Sequence, residues 1–408
     1  MKRSVGGEMT RDWSRRRFLA AGAAGALAVA CRAERAQPNL LGAPRRGYGE
    51  RSPFERSTRA FRVSSTPATS SSRTPLQDTY GMITPSSLHF ERHHAGVPAI
   101  DPSSHELLIH GLVENPLILS MKDLRRLPSV SRIHFIECAG NSAREHEGRP
   151  GPDPQTSHGL ASCSEWTGVP LAVLLHEVGL KPDARWLVAE GADACHMARS
   201  IPLQKALEDV LVAYGQNGEA LRPEQGYPLR LVVPGWEGNV NIKWLRRIQV
   251  ASGPAMTREE AAVYTDLMPD GKARMFSFVM DAKSVITRPA GGQRLDGPGF
   301  CEIEGLAWSG RGRISRVEVS VNGGRTWQDA ELQESALSKA FTPFRCAWTW
   351  NGREVELQSR CSDETGYVQP TRDALIAMRG LRTGPDGFDH YNGIKAWRVR
   401  SSGEVTHV

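Results

Sequence analysis

No C-x-x-C pair occurs anywhere in the 408 residues, so the chain has no ligand spacing for a zinc knuckle or an iron–sulfur site. No C-x-x-C-H occurs either, which excludes a covalently attached c-type haem of its own. The glycine fingerprint of a dinucleotide-binding βαβ unit is missing. The apolar run Ala20–Ala30 spans eleven residues, against the roughly 20 that a membrane-crossing helix needs. With 39% hydrophobic and 24% charged residues, the composition is that of a globular protein and excludes a membrane-embedded or wholly disordered chain.

The main body also lacks the basic excess that the whole chain shows. The formal net charge is +6, from 51 Lys+Arg and 45 Asp+Glu. Residues 1–75 hold 15 of the basic and 5 of the acidic groups, which leaves 36 and 40 in the remaining 333 residues, a net of −4. A nucleic-acid-binding domain would carry its positive charge on the folded body, so no nucleic-acid partner is expected.

The basic segment reads as an address. Ser14-Arg15-Arg16-Arg17-Phe18-Leu19 is a twin-arginine pattern, followed by the apolar run and then small residues up to Gln37-Pro38. This order predicts an export signal over 1–36, hence a periplasmic protein without a membrane span. The bland alternative is a basic, Ala-rich surface helix. Export by this route implies folding before translocation, often around an inserted cofactor. Ala28-Val29-Ala30-Cys31 departs from a lipoprotein cleavage pattern by having Ala in place of the usual Leu. Residues 37–80, rich in Arg, Ser, Thr and Pro, are expected to be an extended linker. Setting Cys31 aside leaves six cysteines, an even number that permits disulfides in an oxidising compartment.

Two folded domains are expected beyond the linker. Over 81–254, short strands (His105–Leu112, Ile133–Glu137, Trp186–Glu190, Leu229–Val233) alternate with short helices such as Pro170–Val178, closed by Gly179. The pattern predicts an irregular α+β domain. Residues 255–284 connect it to a second domain over 285–405. There Arg316–Val321 alternates, Asn322-Gly323-Gly324 marks a turn and Glu354–Arg360 reads as a further strand, which predicts an immunoglobulin-like β-sandwich.

Cys138 leaves a short apolar strand into Ala139-Gly140-Asn141, a turn whose small neighbours expose the sulfur. Spacing alone favours a buried structural cysteine over a metal ligand. The Glu145-His146-Glu147-Gly148 run lacks the H-E-x-x-H spacing of a zinc site and is expected in a solvated loop over the pocket. Cys163 reads as a packed thiol or as a neighbour of a bound group. His89, His105 and His110 show no convergent spacing.

Four ordered motifs shift this balance. Phe90-Glu91-Arg92-His93-His94, Glu137-Cys138-Ala139-Gly140-Asn141, Gly226–Gly235 (GYPLRLVVPG) and Lys243-Trp244-Leu245 together resemble the sulfite oxidase family of molybdenum enzymes. The resemblance covers about residues 80–400. It implies a molybdopterin-binding domain over 81–254, an active-site Tyr264 in the connecting segment and a dimerisation domain over 285–405. By that resemblance Cys138 supplies the thiolate that ligates molybdenum. Phe90, Arg92, His93, His94, Asp193, Gln225, Arg230, Asn241, Ile242 and Lys243 surround the cofactor, and Lys243 reaches its phosphate. His93 stands where the family has Asn, and Gln225 where it has a pterin-binding His. Arg92, Tyr264 and Arg379 match residues that handle the substrate, while Arg144 is displaced by one position from a family arginine. Taken one at a time, these residues would read as surface ion pairs or core aromatics. The chemistry is consistent: a soft thiolate suits the metal, and paired cations suit a phosphate or sulfur oxyanion.

Further stretches, among them Ser162–Gly168 (SCSEWTG) and Tyr264–Gly271 (YTDLMPDG), are closer to the sulfane dehydrogenase branch of the Sox thiosulfate-oxidising system. That branch works with a c-type dihaem cytochrome subunit and a sulfur-carrier protein, so both are implied as partners, with a homodimer inside a heteromeric complex. A free-sulfite dehydrogenase on the same scaffold remains an alternative, as does a cofactor-free structural subunit. A methionine sulfoxide reductase is disfavoured by the C-terminal sandwich.

Overall fold

The strand Val130–Glu137 pairs antiparallel with Ala161–Pro170 over its whole length, from Val130 opposite Gly168 to Glu137 opposite Ala161. In the computed structural model, which describes residues 47–63, 66, 68–268, 270–333, 336–380 and 389–408, this pair anchors one of two five-stranded sheets of the first domain. Leu211–Gln216 continues that sheet and pairs on its other side with Glu219–Ala220 and Arg230–Val232. The second sheet runs Leu117–Ser120, Glu106–Gly111, Leu245–Ala251, Trp186–Gly191, Ala198–Pro202. Glu106–Gly111 and Leu245–Ala251 lie parallel, and the other neighbours are antiparallel. Leu107, Ile109, Leu187, Ala189, Ile248 and Val250 alternate into a core completed by the helix Leu171–Val178. That helix stops at Gly179, whose φ of +64° suits a residue without Cβ.

The second domain is a sandwich of two antiparallel sheets. One contains Lys283–Arg288, Gly299–Trp308, Thr342–Trp350 and Glu331–Leu332; the other contains Gln328–Asp329, Ile314–Ser320, Val355–Asp363, Ala396–Val399 and Val405–His407. Their inner faces meet through buried Trp308, Phe344, Leu357 and Trp397. The expected α+β domain followed by an immunoglobulin-like sandwich is therefore the architecture observed.

The two domains share a core. Phe135, on the strand that leads to Cys138, packs on Trp308 and Phe341 of the sandwich, with ring centroids 6.5 and 6.3 Å away. Residues Ser57–Val408 form one compact unit. Part of the stretch expected to be a plain linker belongs to it. Ala60–Val63, Ser70–Arg73 and Glu91–His93 build a three-stranded antiparallel sheet, because hydroxyl-rich Ser70–Arg73 can pair with both neighbours without presenting an apolar face. The twin-arginine segment and Cys31 lie outside the described residues. Among the described residues no helix is long and apolar enough to cross a membrane. The other six cysteines are all free thiols, so the permitted disulfides are not formed.

Candidate active site

Cys138 is aimed by the turn that ends its strand. Asn141 locks that turn: its N–H donates to the Cys138 carbonyl at 2.9 Å, and its Nδ2 donates to Glu137 Oε1 at 2.9 Å and to the His158 carbonyl at 3.0 Å. Its Oδ1 accepts from Leu160 N at 3.1 Å. Gly238 crosses directly over the turn; a Cβ there would lie 2.9 Å from the Glu137 carbonyl oxygen and 3.3 Å from the Cys138 Cα. Burial pushes the Cys138 thiol up from its usual value, opposed by the Gly140 N–H and by the charge of Arg92. A coordinated metal would supply the positive charge that favours the thiolate.

Cys138 lines a cavity. Twelve of the thirteen residues singled out in the sequence line it: Phe90, Arg92, His93, His94, Cys138, Asp193, Gln225, Arg230, Asn241, Ile242, Lys243 and Tyr264. They converge from six stretches of the chain: 90–94, Cys138, Asp193, 225–230, 241–243 and Tyr264. The strand Glu91–His93 forms one wall, and Gln225 joins its near end to the opposite side by donating to the Phe90 carbonyl at 2.9 Å. Asp193 closes the turn after Trp186–Gly191, accepting from Met197 N at 3.0 Å. Tyr264 ends a five-residue π-helical turn, Glu259–Val263, a distortion that often marks functional sites. Its hydroxyl lies 3.4 Å from His94 Nε2.

The donor set tests whether an anionic cofactor fits. Arg230 is 3% exposed, and its Nη1 donates to the Gln225 carbonyl at 2.9 Å. Lys243 Nζ donates to the carbonyls of Arg92 and Glu224, at 3.2 and 3.1 Å, and to His93 Nδ1 at 2.9 Å. These partners are neutral; among the described residues neither cation forms an ion pair with a carboxylate. Burial lowers Arg230 to about 9 and Lys243 well below the usual lysine value. Two buried cations outside any contact ion pair are costly, with Asp193 and Glu224 offsetting the charge of Lys243 only from a distance, and a phosphate between them would reduce the cost. The cavity therefore fits a molybdopterin, whose phosphate is anionic.

His93 departs from the family's Asn in an intelligible way. Its Nδ1 accepts from Lys243, so its Nε2 carries the hydrogen and donates to Glu91 Oε2 at 2.8 Å. Burial, and then the Lys243 charge, hold it neutral by lowering it to about 3. Burial and then Arg92 likewise lower His94 to about 4.

Arg379 is the residue that the structure does not bring to the cavity lining; its Nη2 donates to Asp266 Oδ1 at 2.8 Å, two residues beyond Tyr264. Arg144 is exposed. The Glu145–Gly148 run is not a solvated loop. It begins with a helical turn, Ala143–His146, in which Glu145 pairs with Lys395 at 2.9 Å and His146 is fully buried, bonded to the Gly380 carbonyl at 3.1 Å. Glu145 is thus neutralised by Lys395 from the C-terminal domain, which local sequence does not reveal, while Glu147 pairs with its neighbour Arg149. Cys163 is a packed thiol, raised to about 12 by burial. Residues that the sequence reading missed also line the cavity: His89, Glu91, Gly238, Asn239 and Trp244 among them. Glu91 and Trp244 sit inside the motifs already quoted, and their proximity to assigned residues was the available signal.

Two family descriptions match the chain: "Oxidoreductase molybdopterin binding domain" over residues 94–258 and "Mo-co oxidoreductase dimerisation domain" over 274–385. Sulfite oxidase from Gallus gallus is 33% identical over 330 residues, covering 74% of this chain and 70% of that protein. An NADH nitrate reductase from Ulva prolifera is 31% identical over 333 residues, covering 71% of this chain but 38% of that protein. The crystal structure of the sulfane dehydrogenase SoxCD from Paracoccus pantotrophus superposes with a TM-score of 0.88 at 46% identity, covering 91% of this chain and 96% of the matched chain. With a cation-lined cavity around Cys138 and these relatives, the chain belongs to the sulfite oxidase family and is a molybdenum-cofactor oxidoreductase acting on sulfur compounds.

Proposed function

We propose that the protein is a periplasmic sulfane dehydrogenase that oxidises sulfane sulfur held on a carrier protein and passes the electrons to a c-type cytochrome subunit. The observation that carries the choice of substrate is the 46% identity to a sulfane dehydrogenase over 91% of the chain, against 33% to a sulfite oxidase over 74%. Each round joins one oxygen from water to the sulfur and releases two protons and two electrons. The electrons leave singly to the cytochrome; several rounds take the sulfane to a sulfonate still bound to the carrier, and a separate hydrolysis of the bond to the carrier releases it as sulfate.

The bound cofactor supplies oxygen-atom transfer and two-electron redox chemistry. The chain's own residues supply its setting. Cys138 is the metal ligand. Arg230 and Lys243 neutralise the pterin phosphate, while Asp193, Gln225, Asn241 and Ile242 shape the pterin's bed. Arg92, beside His94, presents a cation to an anionic sulfur group. Tyr264 offers a hydroxyl donor: burial raises its pKa above the usual tyrosine value, which keeps it protonated. Arg379 acts at one remove, by fixing Asp266 beyond Tyr264.

The partners follow from the same reading: a dihaem cytochrome, a sulfur carrier and a second copy of this chain through the 274–385 domain. The test is turnover by holoenzyme with the cytochrome present, comparing carrier-bound sulfane with free sulfite. Carrier-dependent reduction of the cytochrome that exceeds the sulfite rate is expected. Fast sulfite turnover with no carrier-dependent activity would transfer the assignment to a free-sulfite dehydrogenase.

A further inference from the structure

Behind the cavity wall lies a buried ionic network that none of the assigned roles uses. Arg199, Glu237, Glu260 and His390 are 0, 2, 1 and 6% exposed. Arg199 Nη2 donates to Glu237 Oε1 at 3.0 Å, and its Nε donates to Glu260 Oε1 at 3.1 Å. Glu237 Oε2 lies 3.0 Å from His390 Nε2, and His390 Nδ1 lies 3.1 Å from the Val279 carbonyl. Both ring nitrogens of His390 thus face acceptors that have no hydrogen to give. Only the doubly protonated imidazolium satisfies both contacts. Two cations and two carboxylates then balance, as charges removed from water must.

Each member grips a different part of the site. The His390 backbone N–H donates to the Ala139 carbonyl at 2.8 Å, inside the turn that aims Cys138. Glu237 bridges Glu137 in parallel and directly precedes Gly238, which lies across the Cys138 backbone. Asn241, in the cavity wall, donates from Nδ2 to the Glu237 carbonyl at 3.0 Å. Glu260 belongs to the π turn that ends in Tyr264, and the Arg199 guanidinium covers the Tyr264 ring at 4.9 Å from its centroid. The backbone at His390 has φ of +56°, an uncommon conformation for a residue with a Cβ, held here by contacts on both ring nitrogens and on the main-chain N–H.

We propose that His390 is a positioning residue for catalysis: through its ion pair with Glu237 it fixes the Cys138 turn and the Tyr264 segment in one rigid frame. The inference rests on the assignment of Cys138 and Tyr264 above. It explains why a charged network is kept here, where apolar packing of the same volume would fill the space: ionic hydrogen bonds fix direction as well as distance.

The test uses holoenzyme with H390Q, E237Q and the double variant, in which an amide pair can remake the hydrogen bond without charge. The readouts are melting temperature, molybdenum content, the sulfur-to-molybdenum charge-transfer absorption, and kcat separately from KM. Each single variant is expected to retain molybdenum, to shift the absorption band and to lose tenfold or more in kcat with KM changed less. The double variant is expected to recover part of both. Single variants with a lowered melting temperature but a wild-type band and kcat would reduce the network to a structural one and overturn the proposal. If H390Q does not accumulate, R199K carries the same test, because it keeps the buried charge and loses the two-carboxylate grip. A wild-type band in C138S would instead overturn the assignment of the ligand on which the inference rests.

Discussion

Lys243 shows how much of the site is decided by single side chains. A lysine held among two carbonyls and a neutral imidazole, with burial depressing its pKa, has its hydrogen bonds met but no ion-pair partner until an anion arrives. K243M should therefore leave the cofactor-free protein no less stable, while the cofactor recovered with the purified protein falls at least about tenfold, the lower end of the loss expected for one charge-assisted contact of about 1.5–3 kcal/mol. Pterin content by fluorescence and melting temperature with and without cofactor check both halves. A lowered melting temperature of the cofactor-free form would mean that the cation is structural. The same residue marks what sequence makes legible. Lys243, Arg230 and Cys138 sit in contiguous motifs, so local pattern sufficed. The His93 substitution was visible, but its consequence was not, because the Glu91–His93–Lys243 chain closes across 150 residues.

Among the elements, the strand Val130–Glu137 connects the site to the sandwich. Its last residue, Glu137, is fully buried and paired with Lys283 at 2.5 Å, while Oε2 accepts from Trp308 Nε1 at 2.7 Å. Both partners belong to the second domain. Removing one side of such a pair strands a buried charge, so K283M should cost about 3–5 kcal/mol. The shared core around Phe135 predicts that this loss appears as one cooperative transition by both near-UV and far-UV circular dichroism. Two separated transitions would show the domains to be energetically independent. Strand periodicity placed these elements, since Phe135 and Ile136 are apolar and Val355–Asp363 alternates. Periodicity says nothing about which sheet a strand will face, and so the Glu137–Lys283 contact across domains stayed hidden. For the same reason Ser70–Arg73 read as linker, because nothing in three serines and an arginine announces pairing with the strand that carries Arg92.

At the scale of the whole molecule, buried neutral histidines govern the response to acid. Burial, as the leading cause, lowers His89 and His93 to about 3, His94 and His134 to about 4, and His158 well below its usual value of 6.5. Below pH 6.5 the unfolded chain binds protons at these positions while the folded chain does not. Stability should then fall as pH drops from about 6.5 towards 4, each histidine contributing up to about 1.4 kcal/mol per pH unit. His390 has the opposite sign: although burial opposes it, Glu237 raises its pKa, so its contribution is complete below pH 6.5 and is lost as pH rises through the folded value. Five groups outweigh one, and chemical denaturation between pH 7.5 and 5 should show a net loss. Constant stability across that range would contradict the neutral burial of these histidines.

Cys138 is assigned as the metal ligand in a cavity that holds the cofactor by its phosphate. The most direct measurement compares wild-type and C138S holoenzyme for pterin content, sulfur-to-molybdenum charge-transfer absorption and turnover. Because Arg230 and Lys243 are untouched, C138S should keep its pterin while losing the absorption band and at least about 10²-fold in kcat, the scale of removing one essential electrostatic contact. A C138S enzyme with the wild-type band and turnover would contradict the assignment.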